Sequence, residues 1–273
     1  MSDEHCEVVT TRDGARAMLD RRVGEVMHPV VGPAIEAQRL YCGPSRLAQR
    51  LAAGGGAPLV LLDVGLGAGS NAVAAWRVSE ALGDAARPLT IVSFERCLDT
   101  LALALADEHA ESFGFAGAAG AAARGLLAHG EHTTARTRWR LVTGELPDTL
   151  AGEPGDTAEV VYWDPYSPRL NPGLWSVAGF AAVRRCCRAS ATLHTYSGAT
   201  ATRAALLLAG FMVGVGEPTG EGRAGTCAAL RLADLERPLD ARWLARLTRS
   251  SAPWPADAPA DALATIARLP QFQ

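Results

Sequence analysis

The chain has 273 residues, of which 48% are hydrophobic and 20% are charged, and its formal net charge is −3. These proportions predict a soluble globular protein with a sizeable core. All 26 basic residues are arginine, and the slightly acidic balance predicts no general affinity for polyanions. No apolar run reaches the roughly 18 residues that a membrane helix requires, and the polar N-terminus predicts no signal peptide.

Six cysteines are scattered along the chain without a Cys-x-x-Cys pair. They predict reduced thiols of a cytoplasmic protein and neither a disulfide framework nor a zinc site, so we expect no bound metal. We divide the chain into an N-terminal extension packing over the functional site (1–57), a core (58–235) and a C-terminal tail (236–273). The tail is rich in proline and alanine, and we expect it to lie on the surface and to be partly mobile.

The N-terminal extension contains short structural signals and a polar loop. Val8–Gly14 predicts a hairpin, and the loop Gly24–Ala37 leads into a helix over residues 33–53 that begins near its proline. Polar side chains beside glycines, such as His28 and Glu36, are typical of a loop folded over a pocket. A solvated connector is the alternative interpretation.

A glycine-rich turn opens the core. The apolar run Leu59–Val64 leads into three glycines at alternate positions, and an alanine-rich segment continues to about Leu82. This predicts a buried strand, a tight turn and a helix whose free N-terminal amides face the turn. Glycines are needed there because a ligand must lie against the backbone, where a Cβ would collide with it. A dinucleotide site has Gly or Ala where this chain has Ser70, whereas Gly-x-Gly-x-Gly after a strand and an acid is typical of S-adenosylmethionine (SAM) methyltransferases. The candidate cofactor-binding residues of this stretch are Asp63, Gly65, Gly67, Gly69 and Asn71. An ordinary glycine-rich turn is the alternative.

A second strand, Pro88–Glu95, ends in an acid. In a doubly wound sheet this carboxylate lies beside the glycine loop and can accept hydrogen bonds from both ribose hydroxyls of a nucleoside. Residues 97–131 predict one or two helices, and Arg138–Thr143 predicts a third strand. Glu145 follows it and is a candidate for a position near an adenine ring, or is a solvated loop carboxylate.

A second acid follows the strand Ala158–Trp163. The loop after Asp164 carries three prolines, which fix φ, and aromatic residues, which supply flat apolar walls. An amine must be neutral to attack a methyl sulfonium, and a carboxylate can hold it and relay its proton. We therefore predict Asp164 and Tyr166 as catalytic residues and Trp175 as a pocket wall, with Asp164 also beside the cofactor. The alternative is that Asp164 caps the next helix while Trp163 and Trp175 fill the core.

The remaining elements complete an α/β pattern. The sequence predicts a helix over 171–188, a strand over 191–196, a helix from Ser197 to Gly210, and an antiparallel pair formed by 211–215 and 226–232.

Four stretches together resemble a known family: Gly24–Ala37, Asp63–Asn71, Glu95 and Asp164–Trp175. Over about residues 10–232 the chain resembles the methyltransferase domain of the MnmC-type tRNA 5-methylaminomethyl-2-thiouridine biosynthesis proteins and their stand-alone relatives. The family pattern at the fourth stretch is close to Asp-Gly-Phe-(Ala/Ser)-Pro…Asn-Pro-x-(Met/Leu)-Trp, and Ser197-Gly198 resembles the family's turn after the fifth strand.

This resemblance implies a class I SAM-dependent methyltransferase fold, which is Rossmann-like with a seven-stranded doubly wound sheet and an antiparallel last strand. It implies that SAM is bound by Gly65, Gly67, Gly69 and Glu95, and that Asp164 orients the aminomethyl nitrogen of the substrate. The candidate substrate-binding residues are His28, Glu36, Trp175 and Ser197. Pro165 stands where the family has glycine, and the flavin-dependent oxidase half is absent, so we expect methyl transfer alone.

The leading hypothesis is an N-methyltransferase for the aminomethyl group of a modified wobble uridine in tRNA. Phosphate contacts would then need a local arginine face, for which the candidates are Arg136, Arg138, Arg140, Arg169, Arg184 and Arg185. Alternatives are the same chemistry on a small-molecule or peptide amine, a non-catalytic SAM-binding interaction module, and, more distantly, a nicotinamide oxidoreductase. The sequence predicts no oligomeric state.

Overall fold

The computed structural model describes residues 5–11, 14–27, 32–219 and 223–273. Its contacts divide the chain into two compact units, Met1–Glu145 and Leu146–Gln273. This division does not coincide with the segment ends expected at residues 57 and 235. Within the described ranges, no helix is both long and apolar enough to span a bilayer.

The first unit begins with a small antiparallel sheet in the order β1-β2-β3. Its strands are β1 (Cys6–Thr10), β2 (Arg16–Asp20) and β3 (Glu25–Met27). The hairpin predicted from the sequence is confirmed. The predicted loop begins with a strand instead, because β3 pairs with β2, and His28 lies outside the described residues.

The helix predicted over 33–53 is broken into three pieces. They are α1 (Pro33–Glu36), a π-helix (Ala37–Cys42) and α2 (Leu47–Ala52). Pro33 begins α1, where its missing N–H costs nothing. The break falls at Gly43-Pro44, since proline cannot donate to the preceding turn, and Arg46 then adopts a left-handed φ of 52°.

Four strands and four helices form the α/β part of the first unit. In chain order they are β4 (Leu59–Val64), α3 (Ser70–Glu80), β5 (Leu89–Glu95), α4 (Asp99–Ala104), α5 (Asp107–Ala110), α6 (Ala118–His129), β6 (Glu131–Thr133) and β7 (Thr137–Thr143). Strands β4, β5 and β7 are parallel, and β6 pairs antiparallel with β7. The three predicted strands are confirmed, whereas β6, with three residues, is too short to give a pattern. The region 97–131 forms three helices instead of one or two.

The second unit contains the later part of the α/β pattern. Its elements are α7 (Asp148–Ala151), β8 (Ala158–Trp163), α8 (Val177–Cys186), β9 (Cys187–Thr195), α9 (Thr200–Leu208), β10 (Met212–Thr219), β11 (Arg223–Ala229), α10 (Ala241–Leu247) and α11 (Ala262–Ala267). The strand order is β8-β9-β11-β10, in which β8 and β9 are parallel and β11 is antiparallel to both neighbours. Every residue of β8 is buried, which matches its apolar sequence. With β6, the α/β part has eight strands in the described residues, one more than predicted.

The C-terminal tail is packed into the second unit through a few buried side chains, while most of its residues are exposed, as expected of a surface segment. Trp243 of α10 is 7% exposed and stacks on Phe272 at a centroid distance of 6.0 Å. The side chain of Gln271 accepts a hydrogen bond from Val213 N at 2.8 Å and donates to Leu239 O at 3.0 Å. The bond to Val213 fastens the tail to strand β10, and the other two contacts hold parts of the tail together.

Candidate active site

The glycine loop between β4 and α3 has the predicted tight shape. Gly65, Gly67 and Gly69 have φ values of 86°, 52° and 82°, in the left-handed region that L-residues with a Cβ rarely adopt. The N–H groups of Gly65 and Leu66 both donate to Phe94 O, at 3.1 and 3.2 Å, and tie the loop to the end of β5.

The reason for glycine differs along the loop. A Cβ on Gly69 would lie 3.1 Å from Leu101 Cδ1 and 3.2 Å from Phe115 Cζ, so packing as well as φ requires glycine there. A Cβ on Gly67 would lie 3.4 Å from Met27 Sδ. Collision with a ligand, the reason expected from the sequence, is therefore not needed to explain Gly69.

Glu95 lies beside this loop, as the sequence predicts. Its Oε2 accepts from Gly67 N at 3.0 Å, and its Oε1 accepts from Arg96 N at 2.7 Å and from Cys97 N at 3.1 Å. A carboxylate has about four acceptor positions, so Oε2 retains one. One ribose hydroxyl can use it directly, and a second would have to replace the bond from Gly67.

Asp63 and Asn71 lie beneath the loop surface. Asp63 is fully buried and its Oδ2 accepts from Ser93 Oγ at 2.7 Å, while Trp139 Nε1 donates to Ser93 Oγ at 2.9 Å. This chain of bonds fixes neighbouring strands. Asn71, in the first turn of α3, is 4% exposed. Direct contact of either side chain with a cofactor stays a prediction.

The other candidate residues of the first unit differ in exposure. Glu145 is exposed and forms an ion pair with Arg96, with 3.3 Å between Oε1 and Nη1. Glu36 is the last residue of α1 and is buried where the π-helix begins. π-Helical turns are frequent at functional sites, and here the turn sets the position of Glu36.

In the second unit, Asp164 follows β8 and is half-buried. Two aromatic side chains hold the backbone that follows it. Tyr196 Oη donates to Pro165 O at 3.1 Å, and Trp175 Nε1 donates to Tyr166 O at 2.8 Å. The two rings meet edge to face at 5.5 Å. The acid thus lies on a loop that is fixed at the next two carbonyls.

Trp175 holds this loop from the inside. Only 3% of it is exposed, so its predicted contact with a substrate stays a prediction. Tyr196 was not predicted as a site residue. Its position between the strand and the Ser197 turn was the available signal, but its bond to Pro165 joins residues 31 positions apart.

The alternative interpretation was that Asp164 caps the next helix while two tryptophans fill the core, and its first part is wrong. Helix α8 begins at Val177, not at residue 171, and Ser176 Oγ caps it by accepting from Gly179 N at 3.0 Å. Asp257 of the tail accepts from the first two amides of α8, each at 3.0 Å. The second part is confirmed, since Trp163 is fully buried and Trp175 nearly so.

Ser197 is buried at the start of the turn before α9. Its Oγ lies 2.9 Å from Thr202 Oγ1, and its carbonyl accepts from Thr226 Oγ1 at 2.6 Å. The hydroxyl therefore already has a partner within the fold.

Most of the arginines suggested for phosphate contacts serve the fold. Arg136 donates to the carbonyls of Ser79, Gly83 and Arg87, at 2.9, 2.7 and 3.3 Å. Arg185 donates to two carbonyls, Arg184 donates to Gly210 O, and Arg138 pairs with a glutamate. Arg140 and Arg169 also have partners. The predicted set does not form a free cationic face.

The residues of the glycine loop fit a bound SAM. Ser70 Oγ, at the first turn of α3, is buried without a hydrogen-bond partner in the described part of the chain. No side chain caps the N-terminus of α3, which leaves its amides and its positive end for a carboxylate such as that of a methionyl group. Glu95 Oε2 has a remaining acceptor position that a ribose hydroxyl would use. Across the described ranges, no group of three His, Cys, Asp or Glu side chains could hold a metal.

Comparisons with known proteins agree with this geometry. A family model described as S-adenosyl-L-methionine-dependent methyltransferase matches residues 122–231. The tRNA 5-methylaminomethyl-2-thiouridine biosynthesis bifunctional protein MnmC of Pseudomonas aeruginosa (strain UCBPP-PA14) is 33% identical over 223 residues, covering 77% of this chain and 33% of that protein. The protein of the same name from Polaromonas naphthalenivorans is 35% identical over 161 residues, covering 56% of this chain and 25% of that protein.

The fold comparison covers nearly the whole chain. The crystal structure of MNMC2 from Aquifex aeolicus superposes with a TM-score of 0.75 at 22% identity, covering 98% of this chain and 87% of that one. The chain is an MnmC-like methyltransferase. The predicted class I α/β fold, enzyme class and SAM cofactor are confirmed. The methyltransferase spans only 25% and 33% of the length of the two curated relatives.

Proposed function

We propose that this methyltransferase transfers the methyl group of SAM to the aminomethyl nitrogen of a modified wobble uridine in tRNA. The observation that carries the proposal is the fixed loop behind β8, where Asp164 stands before two carbonyls held by Tyr196 and Trp175. The names of the curated relatives, which contain tRNA 5-methylaminomethyl-2-thiouridine biosynthesis, support this substrate.

The cofactor-binding part of the proposal lies in the first unit. SAM supplies a methyl group activated by the sulfonium charge. The glycine loop and the amides of α3 hold the methionyl part, and Glu95 Oε2 accepts a ribose hydroxyl. The proposed cofactor-binding residues are Asp63, Gly65, Gly67, Gly69, Asn71, Glu95, Glu145 and Asp164.

The acceptor part of the proposal centres on Asp164. Its carboxylate accepts an N–H of the neutral amine and points the nitrogen lone pair toward the methyl group. Bound SAM would supply the methyl group that passes from sulfur to nitrogen, and the Asp164 carboxylate would stabilise the positive charge that develops on the nitrogen and relay the released proton. Tyr166, on the same loop, is the second proposed catalytic residue. The proposed substrate-binding residues are His28, Glu36, Trp175 and Ser197.

Pro165 is compatible with this role. Its ring fixes φ next to the acid, its side chain is buried, and its carbonyl is the acceptor for Tyr196. The rigidity that proline adds therefore acts together with the hydrogen bond. We also propose a cytoplasmic location, which the free state of all six cysteines supports.

One experiment tests cofactor and substrate together. S-Adenosylhomocysteine is titrated into the protein by calorimetry, and methyl transfer from labelled SAM is measured on tRNA that carries the aminomethyl uridine. We expect binding and transfer. An Asp164→Asn variant should bind S-adenosylhomocysteine within about twofold of the wild type but lose about 10²- to 10⁴-fold in kcat. Asp148→Asn, at an exposed carboxylate, is the matched control.

The outcomes separate the alternatives. Binding without transfer to tRNA, combined with transfer to a small amine, would replace tRNA by a small-molecule or peptide substrate. Binding without transfer to any amine would indicate a SAM-binding interaction module. Full activity of Asp164→Asn would contradict the assigned role of Asp164.

A further inference from the structure

Helix α10 in the tail has a positively charged outer face. Arg242 and Arg246 lie four residues apart on one side of α10, Arg249 follows in the turn after the helix ends at Leu247, and all three are exposed. The opposite side buries Trp243 and Leu247, which are 7% and 0% exposed. We call the three exposed residues the arginine face.

The charges of the arginine face are not neutralised locally. In the described chain, the guanidinium groups of Arg242 and Arg246 have no hydrogen-bond or ion-pair partner, and Arg249 Nε contacts only Ala245 O, at 3.3 Å. A fold-supporting arginine, such as Arg136, instead binds several carbonyls. The arginine face thus differs from the arginines that the sequence suggested.

Three acids of the same tail are engaged elsewhere. Asp240 caps α10 by accepting from Arg242 N at 3.0 Å and from Trp243 N at 3.2 Å. Asp257 binds the amides of α8, and Asp261 contacts Arg268 and the hydroxyl of Thr265. None of these three acids forms an ion pair with Arg242, Arg246 or Arg249, so the arginine face keeps three positive charges within a chain whose net charge is −3.

A further arginine lies beside the Ser197 turn. Arg203 of α9 is half-buried and donates to three neutral acceptors, Gly225 O at 2.8 Å, Thr226 Oγ1 at 3.0 Å and Ala224 O at 3.4 Å. Burial lowers the pKa of Arg203, and the positive charge of Arg246 lowers it further. Thr226 in turn donates to Ser197 O. Arg203 is therefore connected through Thr226 to a turn that belongs to the proposed substrate site.

We propose that the arginine face binds the phosphate backbone of the tRNA substrate and so positions it for methylation, a proposal that rests on the proposed function. Arginine is suited to phosphate because its planar fork matches the oxygen pair. From Arg242 to Arg246 the helix rises by about 6 Å, and Arg249 extends the arginine face beyond the helix end, so the three side chains can reach neighbouring phosphates of one strand. Such contacts fix the register of the RNA without reading its sequence.

The test is a triple variant, Arg242→Gln, Arg246→Gln and Arg249→Gln, in the full chain. We expect the Kd for tRNA to rise at least tenfold and the slope of log Kd against log salt to fall by about 2, since each phosphate contact contributes about 0.7 to 0.9. S-Adenosylhomocysteine binding and methyl transfer to the free aminomethyluridine nucleoside should stay within twofold. The matched control, Arg16→Gln with Arg124→Gln and Arg231→Gln, removes the same charge from exposed positions elsewhere.

The results distinguish failure of this proposal from failure of the proposed function. If the wild type binds and methylates tRNA and the triple variant matches the control, the arginine face is not the contact and the proposed function stands. If the wild type neither binds nor methylates tRNA, both proposals fail. Should the triple variant lose S-adenosylhomocysteine binding through misfolding, Arg242→Glu, at an exposed side chain without partners, must still weaken tRNA binding severalfold for the proposal to hold.

Discussion

Tyr196 and Trp175 act on the acid through backbone carbonyls. Tyr196 donates a hydrogen bond to the carbonyl of the first residue after Asp164, and Trp175 donates one to the carbonyl of the second. The two rings pack against each other. A displacement of a reacting group by about 1 Å can cost 10²-fold in rate, so we expect these two bonds to affect catalysis although neither bond involves the substrate.

Tyr196→Phe isolates this effect because it keeps the ring and removes the hydroxyl. We expect kcat to fall about tenfold through misplacement of Asp164, whereas the Kd of S-adenosylhomocysteine stays within twofold. The lost bond should lower the free energy of unfolding by only about 1 kcal/mol. Methyl-transfer kinetics and urea denaturation measure both quantities.

Trp175→Phe, which removes the bond to Tyr166 O, should behave in the same way. Trp243→Phe alters a buried indole in the same unit outside this loop and serves as the control. Lower stability with unchanged kcat in both loop variants would show that the two side chains are structural only.

Individual site residues were predictable where local pattern determines them. Glu95 follows from its place at the end of β5, since parallel strands bring their carboxyl ends to one edge. The role of Trp175 was not readable, because an aromatic residue in a proline-rich loop can face a pocket or the core. Tyr196 and Asp257 depend on contacts across 31 and about 80 positions, and no local pattern encodes such partners.

In the glycine loop, both the backbone conformation and the packing of neighbouring side chains require glycine at position 69. Gly69→Ala would place a Cβ at φ 82°, 3.1 Å from Leu101 and 3.2 Å from Phe115. We expect this strain to cost about 1–3 kcal/mol of stability and to weaken S-adenosylhomocysteine binding at least tenfold. Gly67→Arg should abolish binding by filling the loop.

Calorimetric titration and thermal unfolding measure these effects. Gly83→Ala is the control, because a Cβ there would meet no atom within 4 Å and its φ is not left-handed. Unimpaired binding by Gly67→Arg would remove the glycine loop from the cofactor site.

Asp257 of the tail caps the N-terminus of α8. Asp257→Ala leaves the amides of Val177 and Ala178 without their carboxylate. We expect a loss of about 0.5–2 kcal/mol, the usual value of a helix cap, and a Tm lower by about 2–4 °C for each kcal/mol. Asp261→Ala, which loses only exposed contacts with Arg268 and Thr265, should change Tm less. Equal effects would contradict a special role of Asp257.

Long apolar elements were predictable, and their interruptions were not. Strands such as β4, β5 and β8 follow from continuous apolar runs. The helix expected over 33–53 contains Gly43-Pro44, and the break there outweighs the helical periodicity. The proline-rich tail lacks a periodic pattern, so its docking through Trp243 and Gln271 depends on tertiary contacts.

For the whole molecule, buried thiols link stability to pH. Burial raises the pKa of Cys6 and Cys186, and it raises that of Cys187 from 9.0 to about 12, with a further contribution from Cys186. Each thiol is neutral in the folded chain at a pH at which the unfolded chain already loses the proton. The unfolded state then binds fewer protons, so the free energy of unfolding decreases as pH rises.

The pH range of this effect follows from the pKa of Cys187. Stability from Cys187 is fully present below about pH 9 and is lost progressively up to about pH 12, so at pH 11 the loss should reach about 2–3 kcal/mol. Cys187→Ala should therefore cost stability at pH 7, where it only removes packing, and cost less or become favourable at pH 10.5. Urea denaturation at both pH values measures the difference. The same cost at both values would show that the Cys187 thiol ionises alike in the folded and unfolded chain.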